Sequence, residues 1–132
     1  MKNTLVAATF GAILAVPALA DPVFGIWKTI PDDNGRFGHI EIKQCGETIC
    51  GKMVASFEAN GKKYKSDNLG KNIVWDMAPK KDGKYSGGKI WSPDRDKTYN
   101  SKMELVDDGN GLKVKGCVAI ICRDGGTWTR VN

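Results

Sequence analysis

Histidine is nearly missing from this sequence: His39 is the only one. Serine or cysteine nucleophiles activated by histidine would have to use it. It sits opposite Ile40 and Ile42 in a period-two run, so it faces solvent rather than a cleft. No C-x-x-C occurs, which excludes the common dithiol redox site, and no glycine-rich loop follows a strand and opens a helix to cradle a phosphate. A complete calcium loop is missing as well. The acidic neighbours Asp94 and Asp96, and Asp107 and Asp108, fall in turn sequences, where aspartate hydrogen-bonds its own backbone. No stretch shows a helical period, and no apolar run after residue 20 approaches the roughly 20 residues of a membrane helix. The chain therefore reads as a non-enzyme with no metal, no cofactor and no nucleic-acid partner.

The one long apolar run is at the start. Lys2 precedes Leu5 to Ala20, which ends Ala18-Leu19-Ala20, the pattern of a secretory signal with a small-residue cleavage site. Residues 21–132 then form a single domain, exported to the periplasm or secreted. Cys is absent from the run, against a lipoprotein anchor. Four cysteines follow at 45, 50, 117 and 122, the spacing C-x4-C twice. An even number in an exported chain implies disulfides. Three pairings are possible, and the two short loops favour Cys45 with Cys50 and Cys117 with Cys122. A zinc site of all four is the rival reading, but the usual C-x2-C pairs are missing.

Turn sequences recur at short intervals, among them Pro31-Asp32-Asp33-Asn34-Gly35, Lys81-Asp82-Gly83 and Asp124-Gly125-Gly126. Between them lie period-two runs. The clearest puts Tyr99, Ser101, Met103 and Leu105 on one face and Thr98, Asn100, Lys102 and Glu104 on the other. About eight strands follow, near 23–30, 37–45, 49–57, 72–77, 84–92, 97–106, 111–119 and 126–131. The fold class is all-β. An antiparallel up-and-down barrel is expected, since about eight strands close around one small ligand or a filled core; a two-sheet sandwich is the alternative. Gly87 and Gly88 mark a bulge or corner within a strand. The polar connection from Glu58 to Lys71 is longer than a hairpin needs, and a short helical turn near Ser66 or Asp67 would make it a lid over one mouth.

The sequence carries a net charge of +5, and eight of its lysines lie between Lys62 and Lys89. Lys62, Lys63, Lys65 and Lys71 are the candidate anion patch, for lipopolysaccharide, a membrane surface or a protein partner. Met53, Met77, Tyr85, Trp91, Tyr99 and Met103 are the candidate ligand-binding residues, on inner or rim positions suited to a small apolar or amphipathic molecule. The competing reading is that they fill the core of a small barrel.

Gly25-Ile26-Trp27 near the start resembles the Gly-x-Trp signature of lipocalins, and Gly126-Thr127-Trp128 echoes it at the end. The resemblance implies that Gly25, Trp27, Trp128 and Arg130 close the barrel, with Arg130 from the last strand packed across the Trp27 indole. Over nearly all of residues 21–132 the chain resembles a bacterial exported family, domain of unknown function 2147. This rests on Asp21-Pro22-Val23-Phe24-Gly25-Ile26-Trp27, on Cys45-Gly46 with Cys50-Gly51-Lys52, and on Tyr85-Ser86-Gly87-Gly88-Lys89-Ile90-Trp91-Ser92-Pro93 leading to Lys97-Thr98-Tyr99. It closes on Gly116-Cys117 and Trp128-Thr129-Arg130. The implied fold is a lipocalin-like barrel, with small-ligand binding as the suggested role and no established activity. The chain is short beside lipocalins proper and has no helical pattern after the last strand, which argues for a small lumen.

Overall fold

A computed structural model describes residues 20–132; the apolar run read as an export signal falls on residues 1–19, outside them, apart from Ala20. The strands are β1 (Gly25–Lys28), β2 (Phe37–Cys45), β3 (Thr48–Phe57), β4 (Lys63–Tyr64), β5 (Asn72–Pro79), β6 (Lys84–Ser92), β7 (Lys97–Val106), β8 (Gly111–Val118) and β9 (Ile121–Arg130). All pairings are antiparallel. β1 joins β2 through Trp27 and Ile40 and joins β9 through Trp27 and Arg130, so the sheet closes on itself. Eight strands form the wall, and β4 is a two-residue addition beside the end of β3. The molecule is a closed barrel rather than a sandwich.

Alternation selects the inner face. On β2, Gly38, Ile40 and Ile42 are buried, and on β8 Leu112 and Val114 are buried while Lys113 and Lys115 are less covered. On β7, Ser101 and Met103 point inward while Lys97, Thr98, Asn100 and Lys102 are exposed. The register of β6 against β7 slips between Tyr85 and Gly88. Gly87 has φ +85°, and a Cβ on Gly88 would lie 2.2 Å from the Trp75 carbonyl oxygen. Only glycine at both positions lets the chain turn the corner while β5 stays so close.

Two readings of the sequence are corrected, the start of the last strand and a helical turn in the 58–71 connection. The last strand starts at Ile121, not near 126, because Asp124-Gly125-Gly126 is a bulge inside β9 rather than a turn between strands. Gly126 has φ +94° there, and the Asp124 carboxylate accepts its amide N–H at 2.8 Å. Residues 67–70 form turns without a helix; Ser66 Oγ accepts the Asn68 amide at 3.0 Å, a local bond that replaces a helical turn.

The disulfides are Cys45 to Cys50 and Cys117 to Cys122, and no cysteine is free among the described residues. The first clamps the β2–β3 hairpin, the second the β8–β9 hairpin. Each closes only a short loop, so the chain-entropy contribution is about 2 kcal/mol apiece. Replacing Cys117 and Cys122 by serine together should lower the unfolding free energy from denaturant titration by about 2 kcal/mol. Unchanged stability would show that the hairpin needs no clamp.

Candidate functional site

The two ends of the barrel are built differently. At the end holding the amino-terminal segment, Trp27 is fully buried and its indole Nε1–H donates to the Val23 carbonyl at 2.9 Å. The Arg130 guanidinium lies 4.3 Å above the Trp27 ring. Its Nε donates to the Gly109 carbonyl at 2.9 Å, and its terminal nitrogens donate to the carbonyls of Phe24 at 3.0 Å and Pro22 at 2.5 Å. One cation thus ties the last strand, the β7–β8 turn and residues 22–24 across the barrel floor. Gly25 is needed beneath it: its φ is +138°, and a Cβ there would strike the Asn132 carbonyl and the Arg130 guanidinium.

Tyr85 completes this end. Its hydroxyl donates to Asp21, whose carboxylate also accepts the Val23 amide at 2.9 Å. Burial first, and then the hydrogen bond and charge of Asp21, push the phenol well above its ordinary value of 10.0. A group whose folded pKa is raised contributes stability below its unfolded pKa and loses it as pH rises toward the folded one. Stability should therefore fall progressively above pH 10, where the unfolded chain's Tyr85 ionises, and Tyr85→Phe should flatten part of that slope in melts recorded between pH 8 and 11. A variant with the parent slope would remove Tyr85 from the alkaline transition.

The opposite end is open. A cleft of about 880 Å³ enters the lumen there. Ile40, Ile73, Val114 and Trp128 face it from below, and Met53, Ile90 and Tyr99 stand along its sides. All four lower residues belong to the buried core, so the cleft ends where packing begins. Gly116 keeps room beside Tyr99; a Cβ would sit 3.3 Å from the Tyr99 Cβ. The rim is polar, with Arg36, Arg95, Lys97 and Arg123 beside Asp32, Asp94 and Asp124.

The connection 58–71 stands on this mouth as a wall. Ser56 Oγ donates to the Tyr64 carbonyl at 2.6 Å and accepts the Ser66 amide at 3.2 Å. Met53 and the chain at Gly70 and Lys71 exchange two backbone bonds, at 2.9 and 3.0 Å. These bonds run along β3, where the sequence suggests a lid. Tyr64, Ser66 and Asn68 are what the connection turns toward the cleft.

The six candidate ligand residues divide between the ends. Met53, Trp91 and Tyr99 face the cleft, Trp91 at the rim with its Nε1–H donating to Asp96 at 3.0 Å and Lys71 Nζ 5.1 Å over its ring. Met77, Tyr85 and Met103 are buried in the packed core, none of them on the cleft. The sequence carried no signal to separate them, since all six have inner or rim parity. Trp128 also divides from Trp27: its strand neighbour is Leu112, and it floors the cleft while Trp27 seals the far end. Ile40, Ile73, Ile90 and Val114 were readable as inward residues but not as cleft residues.

The lysine-rich segment is not one patch. Lys62, Lys63, Lys65 and Lys71 are exposed on the connection at the open mouth. Lys80 and Lys81 sit on the β5–β6 turn at the other end, and Lys89 is on the barrel wall with Nζ 2.6 Å from Asn100 Oδ1. His39 lies outside the barrel with its ring 4.5 Å from that of Phe57. Burial, then Lys63 and Lys28, lower its pKa. Asp107 and Asp108 are in the turn before β8. Among the described residues, no three histidine, cysteine or carboxylate side chains are grouped to hold a metal ion.

A family model described as an uncharacterized protein conserved in bacteria, DUF2147, matches residues 25–130. No curated protein matches the sequence. Among solved structures, the chain is similar to HP1028 of Helicobacter pylori, described as belonging to the lipocalin family. The identity is 16%, with 86% of this chain and 85% of that one covered, at a TM-score of 0.66. At that identity the likeness concerns the fold.

Proposed function

This chain belongs to the bacterial DUF2147 family, and on that premise we propose that it is an exported, non-enzymatic barrel that holds one small hydrophobic or amphipathic molecule in its open half. The cleft carries the reading. It is apolar at depth, with Ile40, Ile73, Val114 and Trp128, and charged at the rim, with Arg95, Lys97 and Arg123. A molecule with an apolar body and a polar or anionic head matches that gradient, because its tail leaves water while its head stays solvated. A volume of about 880 Å³ is within the range of small-molecule sites. The two disulfides and the apolar leader support export.

The test is native mass spectrometry of the protein after incubation with a panel of fatty acids and lysophospholipids. One class should remain bound at unit stoichiometry. Gly116→Leu places a side chain beside Tyr99 inside the cleft and should weaken retention by about tenfold or more, equivalent to ~1.4 kcal/mol. A wild-type protein that retains nothing from the panel, or a Gly116→Leu variant that binds equally well, ends the proposal.

A further inference from the structure

Among the described residues, three of the six exposed large apolar side chains fall in one place, the tip of the β8–β9 hairpin: Val118 at 67%, Ile120 at 95% and Ile121 at 67% exposure. Solvent-exposed aliphatic side chains are ordinary one at a time, but three within four residues at a loop tip are a contact surface. The tip is held in shape by the Cys117 to Cys122 disulfide, so little ordering is lost when it is buried. Val118 and Ile121 stand on the rim of the cleft, and Ile30, 47% exposed, adds to the same mouth.

Charge surrounds this apolar tip. Arg95, Lys97 and Arg123 line the mouth with it, and Lys62, Lys63 and Lys65 stand on the connection after β3, across the opening. None of these six forms an ion pair among the described residues, where Arg36 and Glu58 make one at 2.7 Å. Two of the three rim acids are engaged by backbone amides, Asp32 by those of Asn34 and Arg36 and Asp124 by that of Gly126, and Asp96 near the rim accepts the Trp91 indole N–H.

We propose that the β8–β9 hairpin tip inserts into an anionic phospholipid bilayer and docks the mouth of the barrel on the membrane surface. Ile120 and its neighbours enter the boundary between headgroups and acyl chains, and the flanking cations meet lipid phosphates. The cleft then opens toward the membrane. The proposal goes beyond ligand binding and stands without it, since docking uses residues of the tip and rim whatever the lumen holds.

Cosedimentation with vesicles of phosphatidylcholine, with and without phosphatidylglycerol, tests it. Wild type should bind the anionic vesicles, less at high salt. The double variant Ile120→Asn with Ile121→Asn should lose at least about tenfold in partitioning, because apolar burial drives insertion. Val131→Asn removes an exposed apolar residue from the other end and should leave vesicle partitioning unchanged; unchanged thermal melts verify that the variants fold. The proposal is overturned if wild type ignores anionic vesicles, if neutral vesicles bind equally well, or if the double variant binds like wild type. It is also overturned if sedimentation shows a wild-type dimer that the double variant dissolves without any vesicle binding, which would assign the tip to a second copy of the chain.

Discussion

Trp27→Ala should cost about 3–5 kcal/mol of folding stability, the range for truncating a fully buried large aromatic. The side chain has no exposed surface, and its ring carries the Arg130 guanidinium on one face. Its indole N–H also holds the Val23 carbonyl, so truncation leaves that buried acceptor unpaired as well as opening a cavity. Val23 is itself fully buried, and it is kept there by the segment Trp27 anchors. Chemical denaturation should show the midpoint falling with an unchanged slope. For a domain of this size the melting temperature would fall by more than about 10 °C. A loss below about 1 kcal/mol would mean the floor closes without the indole. The open cleft lies at the other end of the lumen, so ligand retention by the folded fraction should be unaffected.

Arg130→Met should be the next most costly change, at about 2–4 kcal/mol, reduced from a fully buried value because the residue is partly exposed. Methionine can still cover the Trp27 ring, and this isolates the polar contribution. What it cannot do is donate to the carbonyls of Gly109, Phe24 and Pro22, which come from two separate chain segments. Arg130→Lys should recover less than half of the loss, because an ammonium on a flexible stem cannot span three acceptors in the plane of one fork. Amide exchange gives a local reading: residues 22–26 and 109–110 should lose protection in both variants. If lysine restores full stability, charge over the indole is what matters and the carbonyl fork is incidental.

Much of the barrel is legible in the sequence. Tyr99, Ser101, Met103 and Leu105 alternate with polar residues, and that period-two pattern survives in the structure because one face of each strand must leave water. Strand limits for β2, β6 and β7 follow from flanking turns whose Asp, Gly and Pro residues have few alternatives. Where the reading failed, a local signal had two meanings. Asp124-Gly125-Gly126 satisfies a turn and equally a bulge, and the pairing of β9 with β8 decides for the bulge. Lys63 and Tyr64 form a strand only because the end of β3 offers free backbone groups beside them.

The candidate site was legible only in part. Parity placed Met53, Met77, Tyr85, Trp91, Tyr99 and Met103 on inner or rim positions without distinguishing a filled from an empty stretch of lumen. That distinction depends on height along the barrel axis, which is set by strand stagger and by what plugs the floor. Tyr85 is buried against Asp21, far from it in sequence, whereas Tyr99 has a glycine, Gly116, against one side and borders open space. The hairpin tip was missed because Val118 to Ile121 reads as a continuation of an apolar strand. Only the pairing of Val118 with Ile121 places Ala119 and Ile120 at a turn in solvent.

By itself the sequence determined the all-β class and the inward face of the strands with clear alternation, and it favoured the short disulfide loops among three pairings, because these rest on neighbours a few residues apart. The tertiary structure alone decided which end is sealed, where the lumen stays open and that the lysine-rich segment is split between both ends. Those properties arise when strands distant in the chain meet around a closed barrel, and no local pattern carries that information.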